Sequence, residues 1–114
     1  MDASSWREQV KVLNIATDFS RSPSGRVPAD GPNSGQRFRE EFLYPALEKD
    51  QVEVVLDGVL TLGSSFLDEA FGGLVRERGL APSELRRKLI IKSRLTTYVD
   101  RIWSYIEDPK NRKH

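Results

Sequence analysis

The residues best placed to do chemistry in this chain are two adjacent serines in the run Gly63-Ser64-Ser65-Phe66-Leu67-Asp68-Glu69. They follow a β-branched stretch, Val52–Leu56, that stops at Asp57-Gly58, and they open a segment of helical periodicity. A helix start leaves its first N–H groups unpaired and carries partial positive charge, so hydroxyls there can cap the helix, meet an anion or be modified. Ser65 and Asp68 have capping-box spacing, in which the serine oxygen accepts a helix N–H and the acid reaches back. On spacing alone the serines read as caps ahead of reactive groups. A nucleophilic serine needs a base, and the chain has no cysteine and a single histidine, His114, at its last position. The acids Glu40-Glu41 and Asp68-Glu69 are sequence neighbours and diverge on a helix, the pattern of a solvated face. Neither G-x-x-x-x-G-K-[ST] nor G-x-G-x-x-G occurs, so the chain lacks a motif for nucleotide binding. These features argue against an enzyme, and no metal or other cofactor is expected.

A second candidate is the loop Ser22–Gly35, broken by Pro23, Gly25, Pro28, Gly31, Pro32 and Gly35. Loops this long in a small domain are uncommon and are often functional, although a mobile hairpin arm reads equally well. Gly25 and Arg26 could meet an anion through open backbone N–H groups and a guanidinium fork, with Ser34 and Gly35 at the far end of the same loop. A turn glycine beside a solvated arginine is the plainer alternative.

The elements that must position these residues alternate. Val10–Phe19 reads as a strand in its first half, and Arg26-Val27 as a brief edge strand. Ser34 caps a helix over about 35–47, with Phe38, Phe42, Leu43 and Leu47 on one face and Pro45 kinking or ending it. Val52–Leu56 is a buried strand. Phe66 to Arg78 forms the strongest helix, its stripe Phe66, Leu67, Ala70, Phe71, Leu74 and Val75 facing the sheet and Gly79 closing it. Asp68, Glu69, Gly72, Arg76 and Glu77 are left outward. The interior pair Gly72-Gly73 costs about 1 kcal/mol per glycine relative to alanine, so another backbone or a partner surface should approach there, or the domain's own loop should cover it. A helical turn at Pro82-Ser83-Glu84, a strand at Lys88–Lys92 and a helix from about Leu95 to Glu107 complete the chain.

At 114 residues, 38% hydrophobic and 31% charged, the composition is that of one ordinary folded domain. The expected division is an N-terminal extension over 1–9, one α/β domain over 10–108 and a disordered basic tail over 109–114. The formal charge of +1 divides into −3 over residues 1–57 and +4 over 58–114. Cations in Arg86–Arg94 alternate around Ile91 and do not form a nucleic-acid platform. No window approaches the ~20 apolar residues of a membrane span, no signal peptide is evident, and the lack of cysteine suits a reducing interior, so a cytoplasmic protein is expected.

The order strand, D-G-V, then L-G-S-S-F-L-D-E-A-F-G-G-L-V resembles the core of bacterial STAS-like domains of uncharacterised function, relatives of the anti-sigma-factor antagonists. Asn14-Ile15-Ala16, Asp18-Phe19-Ser20, Gly25-Arg26, Gly31-Pro32-Asn33-Ser34-Gly35 and Phe38-Arg39 extend the resemblance over about residues 10–80. It implies an α/β fold with a small, largely parallel or mixed sheet of about four strands and helices packed on it. It also implies a regulatory interaction module that docks on a protein partner such as an ATP-binding GHKL-type ATPase or kinase-like regulator. In the antagonists a D-S-S-G or D-S-G motif holds a serine that a partner kinase phosphorylates. That position falls on Ser64, but Gly63 replaces the acid and Phe66 the glycine.

The expected docking segment is therefore Gly63–Phe71, with Gly63, Ser64, Ser65, Asp68, Glu69, Gly72 and Gly73 as contact or switch residues. The alternative is a small anion- or ligand-binding sensor, or an enzyme, built from Gly63–Ser65 and the Ser22–Gly35 loop.

Overall fold

The computed structural model describes residues 9–112. Three parallel strands, β1 (Val10–Asn14), β2 (Gln51–Val55) and β3 (Leu89–Lys92), lie in the order β1-β2-β3. Leu13 aligns with Val54 and Ile91, and Val12 with Glu53 and Ile90. Both crossovers advance in the same direction across the sheet, so right-handed connections place their helices on one face. The burial alternation agrees, because Leu13, Val52, Val54, Leu89 and Ile91 are buried, whereas Val10, Val12 and Ile90 are exposed. The result is a two-layer α/β domain.

Helix α1 (35–49) and helix α2 (64–76) form most of the helical layer, with α3 (Pro82–Lys88) and α4 (Thr96–Ile106) after them. Each of the first two contains a wide π turn, Arg39–Leu43 in α1 and Asp68–Gly72 in α2. The turn in α1 explains why Pro45 does not end that helix. Proline offers no N–H and its ring would strike the carbonyl four residues earlier, and the wide turn just before it shifts those carbonyls out of α-helical register. Ser34 caps α1 as its spacing predicts, accepting the Arg37 N–H at 3.2 Å. Gly79 closes α2 at φ +71°, donating to the Val75 carbonyl at 3.1 Å.

All five phenylalanines gather where α1 and α2 meet. The Phe19 ring centroid lies 5.3–6.3 Å from those of Phe38, Phe42 and Phe66, and Phe38 lies 6.0–6.4 Å from Phe42, Phe66 and Phe71. Such tilted, edge-on and stacked pairs contribute about 0.5–1.5 kcal/mol each beyond their buried area.

Three expectations require correction. The described sheet has three strands and not about four, because Arg26 and Val27 do not pair as an edge strand. The Asp30 carboxylate accepts both of their N–H groups, at 3.0 and 3.2 Å, which commits those donors to a local turn over Pro28–Asp30. The Ser22–Gly35 loop is not a free arm, since the Gly25 and Arg26 carbonyls accept the first N–H groups of α1, from Gly35 and Gln36, both at 2.9 Å. The tail expected to fray is a 3₁₀ turn over Pro109–Arg112, in which buried Asn111 donates to the Tyr105 and Ile106 carbonyls that end α4. Residues 1–8, most of the expected N-terminal extension, and Lys113 and His114, the end of the expected tail, lie outside the described residues. No described helix is long and apolar enough to cross a membrane.

Gly35 sets how closely the two main helices approach. A Cβ there would lie 2.6 Å from the Phe66 carbonyl oxygen and 3.1 Å from the Ala70 nitrogen, both backbone atoms of α2. Gly35→Ala should therefore destabilise the domain by about 1–3 kcal/mol, the usual cost of overpacking, seen as a lower urea midpoint at unchanged slope. An unchanged midpoint would show that the helices separate without cost.

Candidate functional site

The two segments singled out in the sequence meet at the carboxyl end of the sheet. Ser22–Gly25 from the loop and Gly63–Phe66 from the start of α2, with Thr61 between them, line an open cleft of about 490 Å³. Ser64 and Ser65 are exposed there, beside Ser22 and Ser24. None of the residues lining this cleft is titratable. Neither serine caps the helix. Gly63 occupies the cap position, at φ −83° and ψ 159°, and no side chain completes it. The capping-box reading of Ser65 and Asp68 is thus replaced: the helix begins two residues earlier than that reading requires, and Asp68 pairs with Arg26 and Arg76.

Asp68 and Glu69 turn into a chain of ion pairs and do not form a free acidic edge beside Ser64. Asp68 receives Arg26 at 2.9 Å and Arg76 at 3.0 Å. Glu69 receives Arg39 at 2.9 Å, and Arg39 also holds Glu40 at 2.7 Å. Glu40 is in turn bonded by Arg78. Arg76 continues the chain to Asn111 at 2.8 Å, tying in the C-terminal turn. The Arg26 placement also corrects the loop reading. Its guanidinium is committed to Asp68 and lies outside the cleft, while Gly25 and Gly35 close the loop and buried Ser34 caps α1.

The centre of this network is Arg39, only 3% exposed. Its Nη1 donates to both the carbonyl and the carboxylate of Glu69, and the guanidinium lies directly on Gly73, where a Cβ would come within 2.0 Å of Nη1. Over Gly72 lies the Asp68–Arg76 pair, whose nearest atoms a Cβ would meet at 2.6 and 2.9 Å. The backbone of α4 also approaches Gly72, the Tyr105 carbonyl oxygen standing 3.4 Å from where a Cβ would lie, so Gly72 meets both a neighbouring backbone and the chain's own side chains, while Gly73 is covered by Arg39 alone. The sequence names Arg39 only within the Phe38-Arg39 piece of the family resemblance and gives it no role. The double glycine marks a close approach without saying which residue makes it.

Beside the serine cleft, Thr61 also borders a second hollow of about 260 Å³ between the segment after β2 and the segment after β3. Leu60 and Leu95 stand on it, 69% and 59% exposed. In open parallel sheets, ligands bind at the carboxyl ends of the strands, which is where both hollows lie.

The family described as STAS-like domain of unknown function (DUF4325) matches residues 34–94. The chain belongs to this STAS-like family. The matched span runs from the Ser34 cap to Arg94 and holds Arg39, Gly73 and the Gly63–Phe66 wall of the cleft, while the Ser22–Gly25 wall lies before it. No curated protein and no solved structure matches the chain. As a STAS-like domain it is α/β with a parallel sheet, in agreement with the resemblance seen in the sequence.

Two predictions come from the network. Gly73→Ala must displace the Arg39 guanidinium and should destabilise the STAS-like domain by at least about 2 kcal/mol, whereas the same substitution in an Arg39→Ala background should cost much less. Additive losses in chemical denaturation would disprove the contact. The second concerns acid. The Arg78 guanidinium, bonded to Glu40, holds its carboxyl below the usual value of 4.5, with burial opposing and Arg39 adding to the effect. A depressed carboxylate contributes stability above its ordinary pKa and loses it as pH falls through the folded value. Glu40→Gln should therefore lower the urea midpoint at neutral pH and flatten its fall below 4.5. An acid limb identical to wild type would remove Glu40 from the account.

Proposed function

We propose that this STAS-like domain is a regulatory docking module, which binds another protein at the cleft between Ser22–Gly25 and Gly63–Phe66 and carries out no chemistry itself. The observation that carries the reading is the character of the cleft. It is open, lined by small hydroxyl side chains and backbone, and without a titratable group to act as base or acid. Ser64 and Ser65 are exposed and do not cap the helix, so these side chains are available for recognition. The proposed docking segment is narrower than Gly63–Phe71, because Phe66, Leu67, Ala70 and Phe71 are fully buried. It consists of Gly63, Ser64 and Ser65 with the facing loop.

The partner class that the family resemblance suggests, an ATP-binding kinase-like regulator, fits this reading. Phosphorylation at Ser64 would add charge of about −1.5 to −2 at a helix start, where the helix dipole favours it, and would change the cleft from neutral to strongly anionic. The size of the cleft supports a second reading, a small neutral ligand held by the hydroxyls. An anionic ligand is less well served, since Arg26, the cation expected to meet it, is paired with Asp68.

Gly63→Trp tests the proposal directly, because no atom lies within 4 Å of where its Cβ would stand, and the indole would fill the cleft without displacing the core. The partner is recovered from the native host with the tagged wild-type chain and purified for calorimetry. Gly63→Trp and Ser64→Asp should then weaken its binding at least about tenfold at an unchanged melting temperature. The chain alone should not turn over ATP or phosphate esters. Full-strength binding by both variants, or a hydrolysis rate that Gly63→Trp abolishes, would overturn the reading.

A further inference from the structure

We infer that the hollow around Leu60 and Leu95 is the second half of the docking surface and selects an acidic, aliphatic segment of a protein partner. This rests on the docking reading above and adds what the partner must present. Leu60 and Leu95 are the two most exposed large hydrophobic side chains among the described residues, at 69% and 59%, and both stand on one hollow. That hollow joins the serine cleft through Thr61, which borders both. Two separate aliphatic side chains on one concave surface suit anchors spaced along a helix or strand of another protein.

The charges on this rim indicate the sign of the partner. Arg21 lies beside Leu60, whose N–H donates to the Arg21 carbonyl at 2.8 Å, and Arg94 immediately precedes Leu95. The domain engages Arg26, Arg37, Arg39, Arg76, Arg78 and Arg86 in ion pairs, whereas among the described residues Arg21, Arg87, Arg94 and Arg101 have no carboxylate within 4.0 Å, and two of these four, Arg21 and Arg94, adjoin this hollow. The one acid lining the hollow, Asp57, accepts the Arg94 backbone N–H at 3.0 Å and makes no ion pair with its guanidinium. Two exposed leucines flanked by two unpaired arginines are complementary to aliphatic residues flanked by Asp or Glu. Two exposed aliphatic anchors, with Tyr98 the one aromatic ring lining the hollow, favour a protein over a nucleic acid, which is held by successive stacking aromatics and phosphate contacts.

The test uses a displayed library of random peptides panned against the full chain, with winners synthesised and titrated. The enriched peptides should share two aliphatic residues flanked by acids. Their affinity should fall about tenfold or more in Leu60→Ser and in Arg94→Glu, each at unchanged melting temperature, and should weaken further at high salt. Failure to enrich any peptide, a consensus without acids, or affinity indifferent to both variants would overturn the inference. Binding lost only in Gly63→Trp would overturn it while leaving the docking cleft standing. Binding lost in Leu60→Ser and Arg94→Glu but untouched by Gly63→Trp would support the inference and remove the serine cleft from the docking surface. Self-association abolished by Leu60→Ser, or retention of single-stranded DNA abolished by Arg94→Glu alone, would assign the hollow to a different occupant and refute the proposal.

Discussion

The guanidinium of Arg39 lying on Gly73 is the contact around which the helical layer is arranged. A buried arginine is costly unless its charge is balanced and its donors are satisfied. Here Glu40 and Glu69 balance it, and the Glu69 carbonyl takes a further bond. The arrangement demands glycine at position 73, since any side chain would occupy the space the guanidinium fills. It also sits where both helices widen, with Arg39 opening the wide turn of α1 and Glu69 within that of α2. Wide turns shift side chains and carbonyls out of α-helical register and recur at functional sites. In this domain they face each other across the ion-pair chain, one turn from the serine cleft.

The consequence for the site is that its two walls are held from behind. The loop wall is tied to α1 by hydrogen bonds from Gly35 and Gln36 and to α2 by Arg26 on Asp68. The helix wall begins with Ser64, and the same Asp68 one turn on also takes Arg76. Charged groups are thus gathered on one side of the α2 start, and the uncharged cleft is left on the other. A neutral, preformed surface lowers the ordering cost of binding a partner, which is the physical sense in which the fold suits docking.

Much of the fold is legible from local pattern. The β-branched run at Val52, the alternation around Ile91, the Ser34 cap and the left-handed Gly79 each act within a few residues, and each appears where its chemistry puts it. What was not legible depends on residues far apart in the chain. Arg39 and Gly73 are separated by a whole strand and a helix start, and no periodicity connects them. The expected edge strand at Arg26-Val27 failed because one carboxylate, Asp30, took both backbone donors. The start of α2 was misread because Ser-Ser is a strong capping signal, while the structure begins the helix from Gly63 and leaves both serines exposed. At the site, spacing identified the loop and the helix start separately. Their meeting in one cleft, and the leucine-lined hollow beside it, come from the packing of strand ends that are distant in sequence.

The account holds that Arg39 fixes the cleft by joining the two helices, and Arg39→Lys addresses this directly because it keeps the charge and removes the planar fork. Amide hydrogen exchange, compared between wild type and this variant at neutral pH, should show faster exchange in the loop 22–35 and at the start of α2 over 63–68, with β2 and β3 still protected. Exchange unchanged in those two segments, or accelerated uniformly through the sheet, would contradict the claim that this one guanidinium holds the walls of the site.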